Sequence, residues 1–182
     1  MVAVHQIECD HQSKKGSSLA NLICPVRGEL GATYFAKDGL TVSEEARRID
    51  CISFLMGKAY PKENIECETV VIKWVGNGGR NSLRADITIY DRSLAEIADL
   101  EEADRQLHML LIAEIKRDKK SKSGAINFQL EPALRQIDRA NALGVYWDDI
   151  NRILLVKKTK LQLKKMTWGT FQISAMSINT RN

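Results

Sequence analysis

Glu114 and Lys116 stand two residues apart at the end of the apolar run in "LLIAEIKRDKK", residues 110–120. A strand points residues i and i+2 to the same side, so this acid and this amine are neighbours on one face. A second apolar run, "LRADITIYD" at 83–91, is interrupted in the same way by Asp86. If the two runs are adjacent strands, the carboxylates of Asp86 and Glu114 converge over one sheet edge. Convergent carboxylates repel unless a cation lies between them, and hard oxygen ligands favour Mg²⁺ or Mn²⁺. A lysine beside such a cation can orient or help deprotonate a water that attacks a phosphodiester, while the cation stabilises the developing charge. Just downstream, "KRDKKSK" places 5 cationic side chains within 7 residues, Lys119, Lys120 and Lys122 among them. These suit phosphates of a polyanion flanking the point of attack. Each group also has an ordinary alternative: an exposed ion pair for Glu114 and Lys116, a solvated turn for the lysines.

These groups need elements to hold them. Thr41 is placed to cap a helix, with Glu44 three residues on as its partner in a capping box. Ala46, Ile49, Ile52 and Met56 then recur at helical spacing, ending near Gly57 and Pro61. In that register Glu45 shares the side of Ile49 and Ile52 while Glu44 turns to solvent, so Glu45 is the acid expected to approach Asp86 and Glu114. Residues 65–75 read as a β-branched strand, "GNGG" at 76–79 as a turn, and 83–90 as the returning strand of a hairpin. Residues 92–106 carry 5 acids and suit a surface helix or a polar excursion, rather than a core element, before the strand at 107–116. A helix over 125–143 follows, with Pro132 in a first turn and Gly144 as terminator. Strands "RILLVKK" and "TFQISAM" complete the sheet. The pattern predicts an α/β fold, a mixed β-sheet flanked by helices in the order αβββαβ. It is expected as one domain over 1–182: an extension at 1–40, a core at 41–156 and a strand region at 157–182.

The 182 residues are 44% hydrophobic and 27% charged, an ordinary globular composition. The net charge of +4 is unevenly spread: residues 41–112 carry 9 basic and 13 acidic side chains, residues 113–165 carry 13 and 6. The later part is the one that can face a polyanion. Cys9, Cys24, Cys51 and Cys67 are widely spaced, with no CxxC pair. They read as free thiols in a reducing compartment rather than as a disulfide framework or a zinc site with His5 and His11. No apolar run approaches a membrane span and no signal sequence stands out, which predicts a cytoplasmic protein without membrane contact.

From about Glu44 to Val156 the chain resembles the PD-(D/E)xK nuclease superfamily, most closely the amino-terminal nuclease-like domain of type I restriction enzyme R subunits. The likeness rests on "EEARRIDCISFLMGKAYPKENIECE", on "RADITIYD" and on "LLIAEIKR", in that order. It implies a restriction-endonuclease-like core and a metal-dependent endodeoxyribonuclease. Asp86 and Glu114 would ligate Mg²⁺ or Mn²⁺, Lys116 would be the catalytic lysine, and Glu45 or its neighbour Glu44 would complete the metal site. Many relatives carry a glutamine and, four residues on, a tyrosine in the following helix. Here Gln136 is matched by Ala140, so Gln136 is a candidate for the rim of the site or a plain surface glutamine. The resemblance also implies DNA as substrate, with an ATP-dependent translocase and methylation and specificity subunits as partners. The alternative is a catalytically silent DNA-binding or assembly module on the same fold.

Overall fold

The computed structural model describes residues 21–73, 82–157 and 162–166. In chain order these form a short hairpin of β1 (Leu22–Cys24) and β2 (Gly28–Leu30), then α1 (Glu44–Gly57), β3 (Ile65–Lys73), β4 (Ser82–Tyr90), α2 (Glu102–Leu107) and β5 (Met109–Ile115). A helical stretch follows, made of α3 (Lys122–Ala125), a π-helical turn (Ile126–Leu130) and α4 (Glu131–Gln136). After it come β6 (Leu143–Trp147), β7 (Arg152–Lys157) and β8 (Leu163–Met166). Strands β3 to β8 lie side by side in sequence order in one six-stranded sheet. Only β5 and β6 run parallel; every other neighbouring pair is antiparallel. The parallel step needs a crossover, and the helical stretch supplies it.

Alternation along β5 sets up two cores. Leu111, Ala113 and Ile115 join Cys51, Ile52 and Leu55 of α1 on one face, with Ile87, Ile89 and Val145 beside them. On the other face Ile112 meets Leu130, Ala133 and Leu134 of the crossover, with Tyr146, Ile153 and Leu155. A strand covered on both sides reads as an unbroken apolar run. The architecture is therefore α/β: a mixed, mostly antiparallel sheet flanked by helices. The hairpin of β3 and β4 is as expected; its "GNGG" tip and the strand expected at 170–176 lie outside the described residues. No helix among the described residues is long and apolar enough to cross a membrane.

Three expectations need correction. The cap of α1 is Ser43, whose hydroxyl accepts the Ala46 N–H at 3.2 Å, whereas the Thr41 hydroxyl donates to Asp38 at 2.6 Å. An Asx-type loop had claimed Thr41 first. Residues 92–106 do carry a surface helix from Glu102, with no buried residue in α2, but the segment is not free of the core, because Ile97 is fully buried there. The crossover helix ends at Gln136, with Ile137 already extended (ψ 124°), and Leu143 and Gly144 belong to β6. Pro132 does stand in the first turn of α4.

Gly144 is explained by packing rather than by helix termination. A Cβ there would lie 2.9 Å from Leu134 Cδ2 and 3.4 Å from Leu130 Cδ1, both on fully covered side chains of the crossover. The bare backbone of β6 lets the helices settle onto the sheet. Gly144→Ala is expected to lower stability by about 1–3 kcal/mol in urea denaturation through overpacking. Gly57→Ala, at a position with nothing within 4 Å, serves as the neutral or slightly stabilising control.

Candidate functional site

Pairing between β4 and β5 stops at Ile87↔Ala113, so Asp86 and Glu114 are the next residues on the two strands beyond the last rung. The Lys116 N–H turns to β6, donating to the Trp147 carbonyl at 2.8 Å. Amides alternate along a strand, so that of Ile115 turns to β4. What it meets there is a side chain: Asp86 Oδ2 accepts the Ile115 N–H at 2.7 Å. The carboxylate stands in for a rung of the ladder and satisfies an amide that would otherwise be orphaned.

The other oxygen of Asp86 accepts from Arg48 Nη2 of α1 at 2.8 Å. Arg48 Nη1 lies 2.6 Å from Glu45 Oε2 and 3.2 Å from Glu68 Oε1, and Glu45 Oε1 is held in turn by Arg27 at 2.9 Å. The Arg48 side chain is only 7% exposed. Burial alone would lower its pKa, but the charges of Asp86 and Glu45 outweigh that and raise it. Glu68 reaches Arg48 from a backbone with φ +59°, in the left-handed region that non-glycine residues seldom occupy. In the β3–β4 register it falls between the Cys67↔Ile87 and Thr69↔Ala85 pairs, at the level of Asp86.

Glu114 is 5% exposed, and Lys116 Nζ lies 2.5 Å from its Oε1. Burial first, then the charge of Asp86, pushes the Glu114 carboxyl up to about 7 against the pull of Lys116. Lys116 is surrounded differently. Burial would lower its pKa, but Glu114, Asp86 and Glu44 together raise it, so the amine keeps its proton. Glu44 is exposed by surface area, yet the protein around it is dense enough to raise its pKa by desolvation, with Lys116 opposing. It lines an open recess of about 280 Å³ with Ser43, Lys116, Arg117, Asp118 and Ser121.

Two expected site residues are placed differently. The buried residues of α1 are Ala46 and a stripe of Arg48, Cys51, Ile52 and Leu55. Glu44 lies four before Arg48 and Glu45 three before it, so the two acids straddle the stripe instead of one facing in and one out. Glu45 goes to Arg27 and Arg48 and meets Asp86 only through Arg48, while Glu44 shares the recess with Lys116. Gln136 is not on the rim. It ends α4 beside Arg135 and Ile137, whose carbonyls accept from Lys157 Nζ, and the Lys157 N–H donates to the Ala142 carbonyl. That is the entry of β6, the opposite end from Lys116 and Trp147. Lys119 and Lys120 are exposed on the loop that borders the recess, whereas Lys122 donates to Asn151 at 2.9 Å. Arg48 and Glu68 were absent from the sequence expectations. Only the i,i+3 and i,i+4 spacing of "EEARR" hinted at the first.

Among the described residues no three or more His, Cys, Asp or Glu are gathered closely enough to enclose a metal ion. Mg²⁺ asks less than that, since it keeps several waters and takes one or two carboxylates. Asp86 and Glu114 meet this condition. Among the described residues each Asp86 oxygen accepts one hydrogen bond and retains a lone pair, and burial with the charge of Asp86 raises the Glu114 pKa further than Lys116 lowers it. Cys24, Cys51 and Cys67 are free thiols, and burial raises the pKa of Cys67 to about 11. Cys9, His5 and His11 lie outside the described residues. Comparison with family models, with curated proteins and with solved structures gives no match.

The Glu114 carboxyl gives a pH dependence with a definite sign. Its folded pKa of about 7 lies above the ordinary value of 4.5, so the stability it contributes is full below the lower value and is lost as pH rises through the upper one. With a chelator present, the wild-type melting temperature should fall between pH 4.5 and 7. Glu114→Gln should flatten that slope and melt higher than wild type at pH 8, which a differential scanning calorimetry series checks.

Proposed function

We propose that the protein is a Mg²⁺-dependent endonuclease domain that hydrolyses DNA phosphodiester bonds on a restriction-endonuclease-like core, as a component of a type I R subunit-like restriction system. The observation that carries this reading is the parting of β4 and β5. Two carboxylates follow the last rung there, and a protonated lysine sits 2.5 Å from one of them beside an open recess. When bound, Mg²⁺ supplies Lewis-acid stabilisation of the charge that develops on the phosphate. Asp86 and Glu114 would hold it, with Glu44 rather than Glu45 as the nearest further acid.

The chain's own residues divide the remaining work. Lys116 keeps its proton, so it donates to an attacking water or to a phosphate oxygen and orients it, rather than removing a proton. The Ile115–Asp86 hydrogen bond keeps the first carboxylate at the strand end, which fixes where the scissile phosphate must lie. Exposed Lys119 and Lys120 attract the flanking phosphates. Water is the nucleophile and no covalent intermediate is formed. An ATP-dependent translocase and methylation and specificity subunits would be the partners of such a domain. One observation favours a second reading, a catalytically silent DNA-binding or assembly module: Arg48 already neutralises Asp86.

Nicking of supercoiled plasmid in Mg²⁺ separates the two. Lys116→Ala is expected to slow nicking by at least about 10²-fold, the scale of one lost transition-state donor. Its DNA affinity should stay within about twofold of wild type, since one lysine is a minor part of the phosphate contact. Lys119→Glu with Lys120→Glu should weaken binding and make its salt dependence shallower. No nicking by wild type in Mg²⁺ or Mn²⁺, with DNA binding intact, would select the silent module.

A further inference from the structure

Three carboxylates from three elements converge on one buried guanidinium: Glu45 of α1 at 2.6 Å, Glu68 of β3 at 3.2 Å and Asp86 of β4 at 2.8 Å. Apart from the arginine, this is the donor set of a divalent-cation cage: hard, anionic oxygens drawn from separate parts of the chain. With Arg48 in place the guanidinium fills the middle, and the three acids around it are not gathered closely enough to enclose an ion. The left-handed backbone at Glu68 brings the third carboxylate in. A structural ion pair needs only one acid for one base, and here a second arginine, Arg27, is engaged on the far oxygen of Glu45.

We propose that Arg48 takes the place of a second cation, so that the site accepts one divalent ion, between Asp86 and Glu114, and not two. This rests on the metal-dependent nuclease reading for the ion that Asp86 and Glu114 hold. The guanidinium is suited to the task because it cannot be deprotonated in a protein, so its charge is permanent. Removing it to admit an ion would strand a buried charge, a change that opposes uptake. Its two Nη groups also fix Asp86 relative to Glu45 and Glu68, which makes Arg48 a positioning residue. With one face of Asp86 held this way, the carboxylate is left to meet an ion only from the side of Glu114.

Calorimetric titration of the full chain with Mn²⁺ tests the proposal by stoichiometry. Wild type is expected to bind one equivalent. Arg48→Met, which keeps volume but removes the charge, is expected to bind a second, and Arg48→Met with Glu68→Gln to lose it again. Circular dichroism checks that the variants are folded. Two equivalents on wild type, or no equivalent gained by folded Arg48→Met over wild type, would overturn the proposal. Should Arg48→Met fail to fold, Glu68→Gln alone decides. Its carboxylate is half exposed, so it is expected to leave wild-type stoichiometry and affinity unchanged, and the loss of an equivalent would count against Arg48. The nuclease reading fails separately. If wild type binds none while Arg48→Met binds one, the occupied cage stands and the metal-dependent nuclease does not.

Discussion

Each oxygen of Asp86 holds a different part of the molecule. One accepts the Ile115 amide across the point where β4 and β5 part, and the other accepts Arg48 from the helix packed on the sheet. Through the first, the carboxylate substitutes for the backbone and allows the strands to diverge without leaving an orphaned donor. Through the second, α1 is tied to the sheet at the same point, with Glu45 and Glu68 gathered around the arginine. Glu114 and Lys116 are placed by what lies beneath them. Apolar β5, covered on both faces, keeps its last residues in register with β6 up to the Lys116–Trp147 hydrogen bond.

The energetic character of this cluster follows from its burial. A nearly buried guanidinium with three acids is weak support for stability in itself, because taking the charges out of water opposes their attraction. Breaking it is another matter, since an arginine left without partners costs about 3–5 kcal/mol. The arrangement therefore fixes geometry more than it stabilises the fold. Glu114 shows the reverse balance. Burial and two like charges outweigh one lysine, leaving a carboxyl with a raised pKa next to the lysine that lines the recess. Such an unrelieved acid next to a firmly held one is what a metal-binding reading needs, and it is also what gives the site its sensitivity to pH.

Much of this was legible in the sequence wherever the deciding interactions are local. The β3–β4 hairpin, β5 and β7 follow from β-branched and apolar runs, and Asp86 and Glu114 stood out because they interrupt such runs. Errors came where a competing neighbour or a distant partner decides. Thr41 fits a cap by spacing, but Asp38 takes its hydroxyl and Ser43 caps instead. Gly144 resembles a helix stop, and only the approach of Leu134 shows that it is a packing glycine in β6. Gln136 lies on a helix of the expected kind, but at the far end of the crossover. The partners of Arg48 include residues 20 and 38 positions away, which no local pattern reveals. The amphipathic pattern of α1 centred the inward face on Ile49 and Met56, which do pack partly buried against the core; the fully covered residues include Arg48 and Cys51, and Glu44 and Glu45 fall on either side of that stripe.

The central claim is that Asp86 and Glu114 hold one cation where their strands part, with Arg48 remaining on Asp86. Anomalous diffraction at the manganese edge, from a crystal soaked in Mn²⁺, tests it most directly. The account requires a single peak at about 2.2 Å from one oxygen of each carboxylate, with the Arg48–Asp86 and Ile115–Asp86 hydrogen bonds retained. A well-ordered crystal with no peak at the two carboxylates, or with manganese seated among Glu45, Glu68 and Asp86 and Arg48 turned out to solvent, would contradict it.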